Sequence, residues 1–154
     1  MPRPSFDEIF LSIARTLSAR STCPKLHVGA VIADTRNRIV GCGYNGAPSG
    51  LAHCDSVGCN EEDGHCTRAV HADINSILNA PNPALLQDAT MYLYGGRPCY
   101  RCAQAIVAVG IKRVVYFDTG YTVSIKGDRL LNDARVTISR QIRPALPNDS
   151  GLIK

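Results

Sequence analysis

The sequence predicts a three-layer α/β/α sandwich built on a five-stranded mixed sheet, and three observations carry that prediction. Some segments repeat apolar residues at helical spacing, while others are short apolar runs rich in β-branched residues. The two kinds follow one another as helix, hairpin, helix, strand, helix, strand, helix, strand. Strands separated by helices imply parallel pairing and a sheet covered on both faces. The first strand run, Val28-Gly29-Ala30-Val31-Ile32-Ala33, is apolar throughout, as a strand buried on both sides is.

Each element has its own local signal. Ser5-Phe6-Asp7-Glu8 has capping-box form, and Phe6, Ile9, Phe10, Ile13 and Leu17 then recur at helical spacing, so a helix is expected over Phe6–Ser18. Asp34-Thr35-Arg36-Asn37 separates the first strand from a second, Ile39–Tyr44, which is a hairpin pattern. Residues 45–68 carry Gly46, Pro48, Gly50, Gly58 and Gly64 with little periodicity and are expected to form a long loop. A loop of that length in a compact domain needs something to organise it. A helix over 71–80 turns Ile74, Ile77 and Leu78 to the core, and Pro81-Asn82-Pro83 ends it. Thr90-Met91-Tyr92-Leu93-Tyr94 reads as a strand; Gly95-Gly96-Arg97-Pro98 turns into a helix over 99–109 closed by Gly110. A strand at 113–117, a short helix near 128–134 and a strand near 136–142 complete the domain, residues 1–143. The remainder, 144–154, reads as a weakly ordered tail.

At 154 residues the chain suits one domain with a genuine core. A net charge of +4 without a dense basic run is a poor footprint for tight nucleic-acid binding and suits a small anionic substrate. The first 18 residues contain Asp7 and Glu8 and lack the apolar region of a signal peptide, and no stretch approaches a membrane span. A cytoplasmic location is expected. Seven cysteines in such a chain point to metal rather than to disulfides.

His71-Ala72-Asp73 and Pro98-Cys99-Tyr100-Arg101-Cys102 supply one imidazole and two thiolates. That is a three-ligand zinc set whose fourth position is open. Asp73, two residues after the histidine, can reach beside the ion as a proton carrier. His-x-Glu followed by Pro-Cys-x-x-Cys is the signature of zinc nucleobase deaminases, and it is met here with one departure, aspartate at position 73. Cys54, Cys59, His65 and Cys66, with His53 beside them, offer what the long loop lacks. A second, structural zinc is expected on Cys23, Cys54, Cys59 and Cys66, with His65 as the substitute ligand. Cys42 alternates within an apolar strand and reads as core. Asn45 suits a positive backbone angle beside Gly46, and Arg97 and Arg101 read either as surface arginines or, near a zinc mouth, as phosphate ligands.

The zinc residues together with Cys23, His27-Val28-Gly29-Ala30-Val31-Ile32, Gly43-Tyr44-Asn45-Gly46 with Pro48 and Gly50, His53-Cys54 and Gly64-His65-Cys66 resemble the cytidine-deaminase-like superfamily and, within it, the deoxycytidylate (dCMP) deaminases. The resemblance covers most of residues 23–117. It implies hydrolytic deamination of dCMP, or a closely related deoxycytidine nucleotide, to dUMP and ammonia. It implies a homo-oligomer, commonly a hexamer, with dCTP as activator and dTTP as inhibitor. Carried over, His71, Cys99 and Cys102 become catalytic zinc ligands, Asp73 takes the catalytic glutamate position, and Asn45 takes that of a substrate-contacting asparagine. Ala72, Arg97 and Arg101 join Asn45 as candidate substrate contacts. The other reading of the aspartate is a catalytically inactive member that binds zinc and nucleotide in a regulatory or structural role. Gly95-Gly96-Arg97 also departs from the Thr-x-Ser or Thr-x-x segment usual before this proline.

Overall fold

The computed structural model describes residues 3–120 and 125–142. Helix α1 spans Phe6–Ser18. Its capping box is complete: the Glu8 N–H donates to the Ser5 hydroxyl at 3.2 Å and the Ser5 N–H donates to the Glu8 carboxylate at 2.7 Å. Strands β1 (Gly29–Ala33) and β2 (Ile39–Tyr44) form the hairpin, with the Asp34 carboxylate accepting from the N–H groups of Arg36 and Arg38 in the turn. There follow α2 (Cys54–Val57), β3 (Glu61–Glu62), β4 (His65–Cys66), α3 (Ala72–Leu78), a 3-10 turn (Pro83–Leu86), β5 (Thr90–Gly95), α4 (Tyr100–Ala108), β6 (Arg113–Asp118), α5 (Lys126–Asp133) and β7 (Thr137–Arg140).

The main sheet runs β2-β1-β5-β6-β7. β5, β6 and β7 are parallel, while β1 is antiparallel to both of its neighbours. The parallel pairing implied by intervening helices thus holds from β5 onward. The first crossover, β2-α3-β5, also joins parallel strands, but β1 lies between them. All five residues of β1 are buried. On one face, Phe10, Leu11 and Ala14 of α1 meet Val31, Ala33, Tyr92 and Val115. On the other, Ala72, Ala103, Ile106 and Leu131, from α3, α4 and α5, meet Ala30, Ile32, Met91, Leu93 and Val114. The three-layer architecture is the predicted one.

Two glycines of β2 decide how α3 lies. A Cβ on Gly43 would stand 2.9 Å from the Asn75 Cβ, and one on Gly41 would stand 2.4 Å from the Ser76 carbonyl oxygen. With neither present, α3 settles directly on β2, and its Asn75 and Asn79 amides donate to the carbonyls of Tyr44 and Cys42. Its N-terminus is thereby fixed at the end of the sheet.

The differences from expectation are local. The helix expected over 71–80 narrows to Ala72–Leu78, and that expected over 99–109 narrows to Tyr100–Ala108, because His71 and Cys99 are N-caps with extended backbone. The last helix begins earlier and the last strand is shorter than predicted. Residues 45–68 are more structured than a loop, since they hold α2 and the β3–β4 hairpin. Asp63 and Gly64 have φ of 50° and 78°, the paired positive angles of a type I′ turn, for which Asp-Gly is a recognised signal. The tail over 144–154 lies outside the described residues.

Candidate metal centre

His71 is the N-cap of α3 and Cys99 that of α4, and neither side chain makes the usual capping hydrogen bond. Both are free to reach into the gap between the helix ends. Cys102, three residues on, is buried. The His71 Nδ1 is 3.3 Å from the Cys102 Sγ and 3.6 Å from the Cys99 Sγ, and the three donor atoms lie within 4.8 Å of one another. Tetrahedral zinc, with bonds of about 2.0 Å to nitrogen and 2.3 Å to sulfur, sets its ligand atoms about 3.5–3.8 Å apart. The donor set and its spacing fit that ion.

The electrostatics agree. A hydrogen bond from Cys102, aided by His71 and opposed by burial, holds the Cys99 thiol well below its ordinary value. Cys102 is pushed up by that same bond and by burial. The bond to Cys99 raises His71 against burial, with the Asp73 charge assisting. Protons shared at such short range are those a divalent cation displaces on binding. Asp73 stands beside this trio, at the second position of α3, 5% exposed. Burial pushes its carboxyl up, and a hydrogen bond with Cys102 opposes that shift. The carboxylate is therefore next to the donors, where a proton carrier is wanted.

In the second cluster, Cys54 opens α2, Cys66 ends β4, and Cys59 lies between them. Their sulfurs also lie within 4.8 Å of one another, with Cys54 and Cys66 3.6 Å apart. Burial pushes the Cys54 thiol up to about 12. It pushes the Cys66 thiol up too, but hydrogen bonds from the backbone of Ala69, Arg68 and Asn60 outweigh it and bring that thiol down to about 7. Cys23 and His65 are outside this group of three. Cys23 is buried next to Thr22, whose hydroxyl meets the His53 Nδ1 at 3.2 Å. His65 is exposed, because neighbouring residues of a strand face opposite sides. A two-way backbone bridge between Gly46 and Val70 ties the segment leading to His71 against the loop.

The remaining candidates separate. Asn45 has no positive φ; its side chain accepts from the Val28 N–H at 2.9 Å and donates to the Leu26 carbonyl at 2.7 Å. It staples the approach to β1, and the turn reading gives way to this one. Ala72 is in the core, so any substrate contact falls to its backbone. Arg97 donates to the Asp128 carboxylate at 2.8 Å. Arg101 is exposed on α4. Asp128 had no signal in the sequence, since nothing links positions 31 residues apart before the fold is known.

A family model described as "Cytidine and deoxycytidylate deaminase zinc-binding region" matches residues 4–118. The chain is 42% identical over 127 residues to the deoxycytidylate deaminase of Mycobacterium phage D29, covering 75% of this chain and 97% of the relative. It is 36% identical over 140 residues to ComE operon protein 2 of Bacillus subtilis (strain 168), covering 91% and 73%. In three dimensions it is similar to the apo dCMP deaminase of cyanophage S-TIM5, with a TM-score of 0.70 at 23% identity, covering 91% of this chain and all of the other.

Proposed function

The chain belongs to the cytidine and deoxycytidylate deaminase zinc-binding family, and we propose that it is a hydrolase converting dCMP to dUMP and ammonia at the site formed by His71, Cys99, Cys102 and Asp73. The observation that carries this reading is the convergence of one imidazole and two thiolates beside a buried carboxylate, within a chain similar to deoxycytidylate deaminases. Zinc, when bound, lowers the pKa of water toward neutrality and so makes a nucleophile available at C4 of the cytosine ring. His71, Cys99 and Cys102 would hold the ion. Asp73 would take one proton from the attacking water and pass it to N3, then take the second from the hydroxyl now on C4 and pass it to the amino group, which leaves as ammonia as the C4 carbonyl forms. Its burial supports this, because a carboxyl whose affinity for protons is raised can both accept and return them.

The thiol cluster Cys54, Cys59 and Cys66 supports a second zinc with a structural role, closed by a fourth ligand for which Cys23 and His53 are the candidates. Similarity to deoxycytidylate deaminases supports a nucleotide substrate and a homo-oligomer; the finer reading is a cytoplasmic hexamer activated by dCTP and inhibited by dTTP. Residues 1–143 are read as one catalytic domain. Among the described residues no helix is long and apolar enough to cross a membrane.

The test is release of dUMP and ammonia by purified, zinc-replete protein supplied in turn with dCMP, dCTP and 5-methyl-dCMP. Turnover of dCMP is expected. Binding of dCMP without release of ammonia would favour the inactive, nucleotide-binding reading instead.

A further inference from the structure

Asp128 and Gly127 of α5 lie against the segment that delivers Cys99, although α5 contributes no member of the metal trio. The Asp128 carboxylate accepts from Arg97 at 2.8 Å, and both side chains are about four-fifths buried, at 21% and 22% exposed. The other carboxylate oxygen, Oδ1, is buried and has no hydrogen-bond partner among the described residues. One residue earlier, a Cβ on Gly127 would stand 2.6 Å from the Pro98 carbonyl oxygen and 3.1 Å from that of Cys99. The helix therefore rests on the backbone of the metal-binding turn itself. Arg97 is held between Gly96 and Pro98, one residue from that contact.

We propose that Arg97, Asp128 and Gly127 form a clamp that positions Cys99 for the metal, Asp128 being a positioning residue that acts through Arg97. The arginine, already neutralised by a carboxylate, serves the metal-binding turn and is not a phosphate ligand. Removing the outer partners of a metal ligand typically costs about 10- to 100-fold in affinity or activity. This inference rests on reading His71, Cys99 and Cys102 as the metal site, but its main readout does not require that dCMP be the substrate.

The experiment measures zinc affinity by chelator competition, assigning the catalytic ion as the one that Cys99→Ala loses, in the intact chain and in Asp128→Asn, Arg97→Gln, the double variant, and Gly127→Ala. Each single variant is expected to weaken the catalytic zinc about 10- to 100-fold while the second zinc is unchanged. The double variant is expected to be no worse than either side-chain variant, since both break one contact. In turnover assays kcat at limiting zinc falls and KM for dCMP holds. Arg97→Lys, which keeps charge but loses the planar donor, is expected to recover part of the affinity. An unchanged zinc affinity in Asp128→Asn together with a raised KM in Arg97→Gln would overturn the clamp and make Arg97 a phosphate ligand. Additive losses in the double variant would also overturn it.

Discussion

At the scale of single residues, the convergence of His71, Cys99 and Cys102 was legible and its surroundings were not. His71, Cys99 and Cys102 could be read because each sits at or near a helix N-terminus, where spacing along the chain translates directly into shared direction. Asn45 could not be resolved the same way, since its partners Leu26 and Val28 come from another segment. In the proposed mechanism the rate depends on Asp73. Its side chain is one C–C bond, about 1.5 Å, shorter than that of glutamate, and a misplacement of about 1 Å can cost 100-fold in rate. Asp73→Glu is therefore expected to raise turnover of dCMP by about 10- to 1,000-fold, with substrate binding changed much less. Steady-state dUMP release at matched zinc content measures this. Equal rates in the two forms would mean that the pocket is built around aspartate, and Asp73→Asn should then abolish the reaction.

At the scale of elements, the hairpin and the helices were readable from composition, whereas the contacts that orient them were hidden in residues without side chains. Gly43 lets α3 approach β2 and so sets where His71 emerges. Gly43→Ala should destabilise the fold by about 1–3 kcal/mol, the usual cost of overpacking, read as a lowered melting temperature. The other long-range device is on the opposite face. Asp7 of α1 accepts from Arg113 of β6, at 2.8 Å in one of two bonds, and from the Tyr92 hydroxyl at 2.9 Å. The Arg113 hydrogen bond, against the effect of burial and with help from Tyr92, holds the Asp7 carboxyl below its ordinary value. Because the folded pKa lies below the unfolded one, this stabilisation is complete above the ordinary value of 3.8 and is lost as pH falls through the folded value. Asp7 is a quarter exposed, so screening keeps the effect near about 1 kcal/mol. The melting temperature of Asp7→Asn should lie below that of the unmodified chain at neutral pH, and the gap should close below about pH 4. A gap that persists in acid would mean that packing, and not charge, is what the substitution removes.

For the molecule as a whole, the alternation of strands and helices was enough to give the layers, but not the order of the strands. β1 lies between β2 and β5 because the hairpin folds back before the first crossover, a pairing choice that no local pattern encodes. The segment 45–68 is tied to the approach to His71. Val70 pairs with Gly46, and only a short stretch of chain separates Cys66 from His71. A metal held by Cys54, Cys59 and Cys66 would make that region rigid. Chelation strong enough to strip it should speed proteolysis within 45–68, and unchanged resistance in the zinc-free chain would refute a structural role. The central claim is that one metal site does the chemistry, and it is tested most directly by measuring zinc per chain and dUMP formation on the same preparations of the intact chain and Cys99→Ala. The substitution is expected to remove one of two zincs and all deamination while the thermal transition remains cooperative. Full zinc content, or turnover that survives the loss of the zinc, would contradict it.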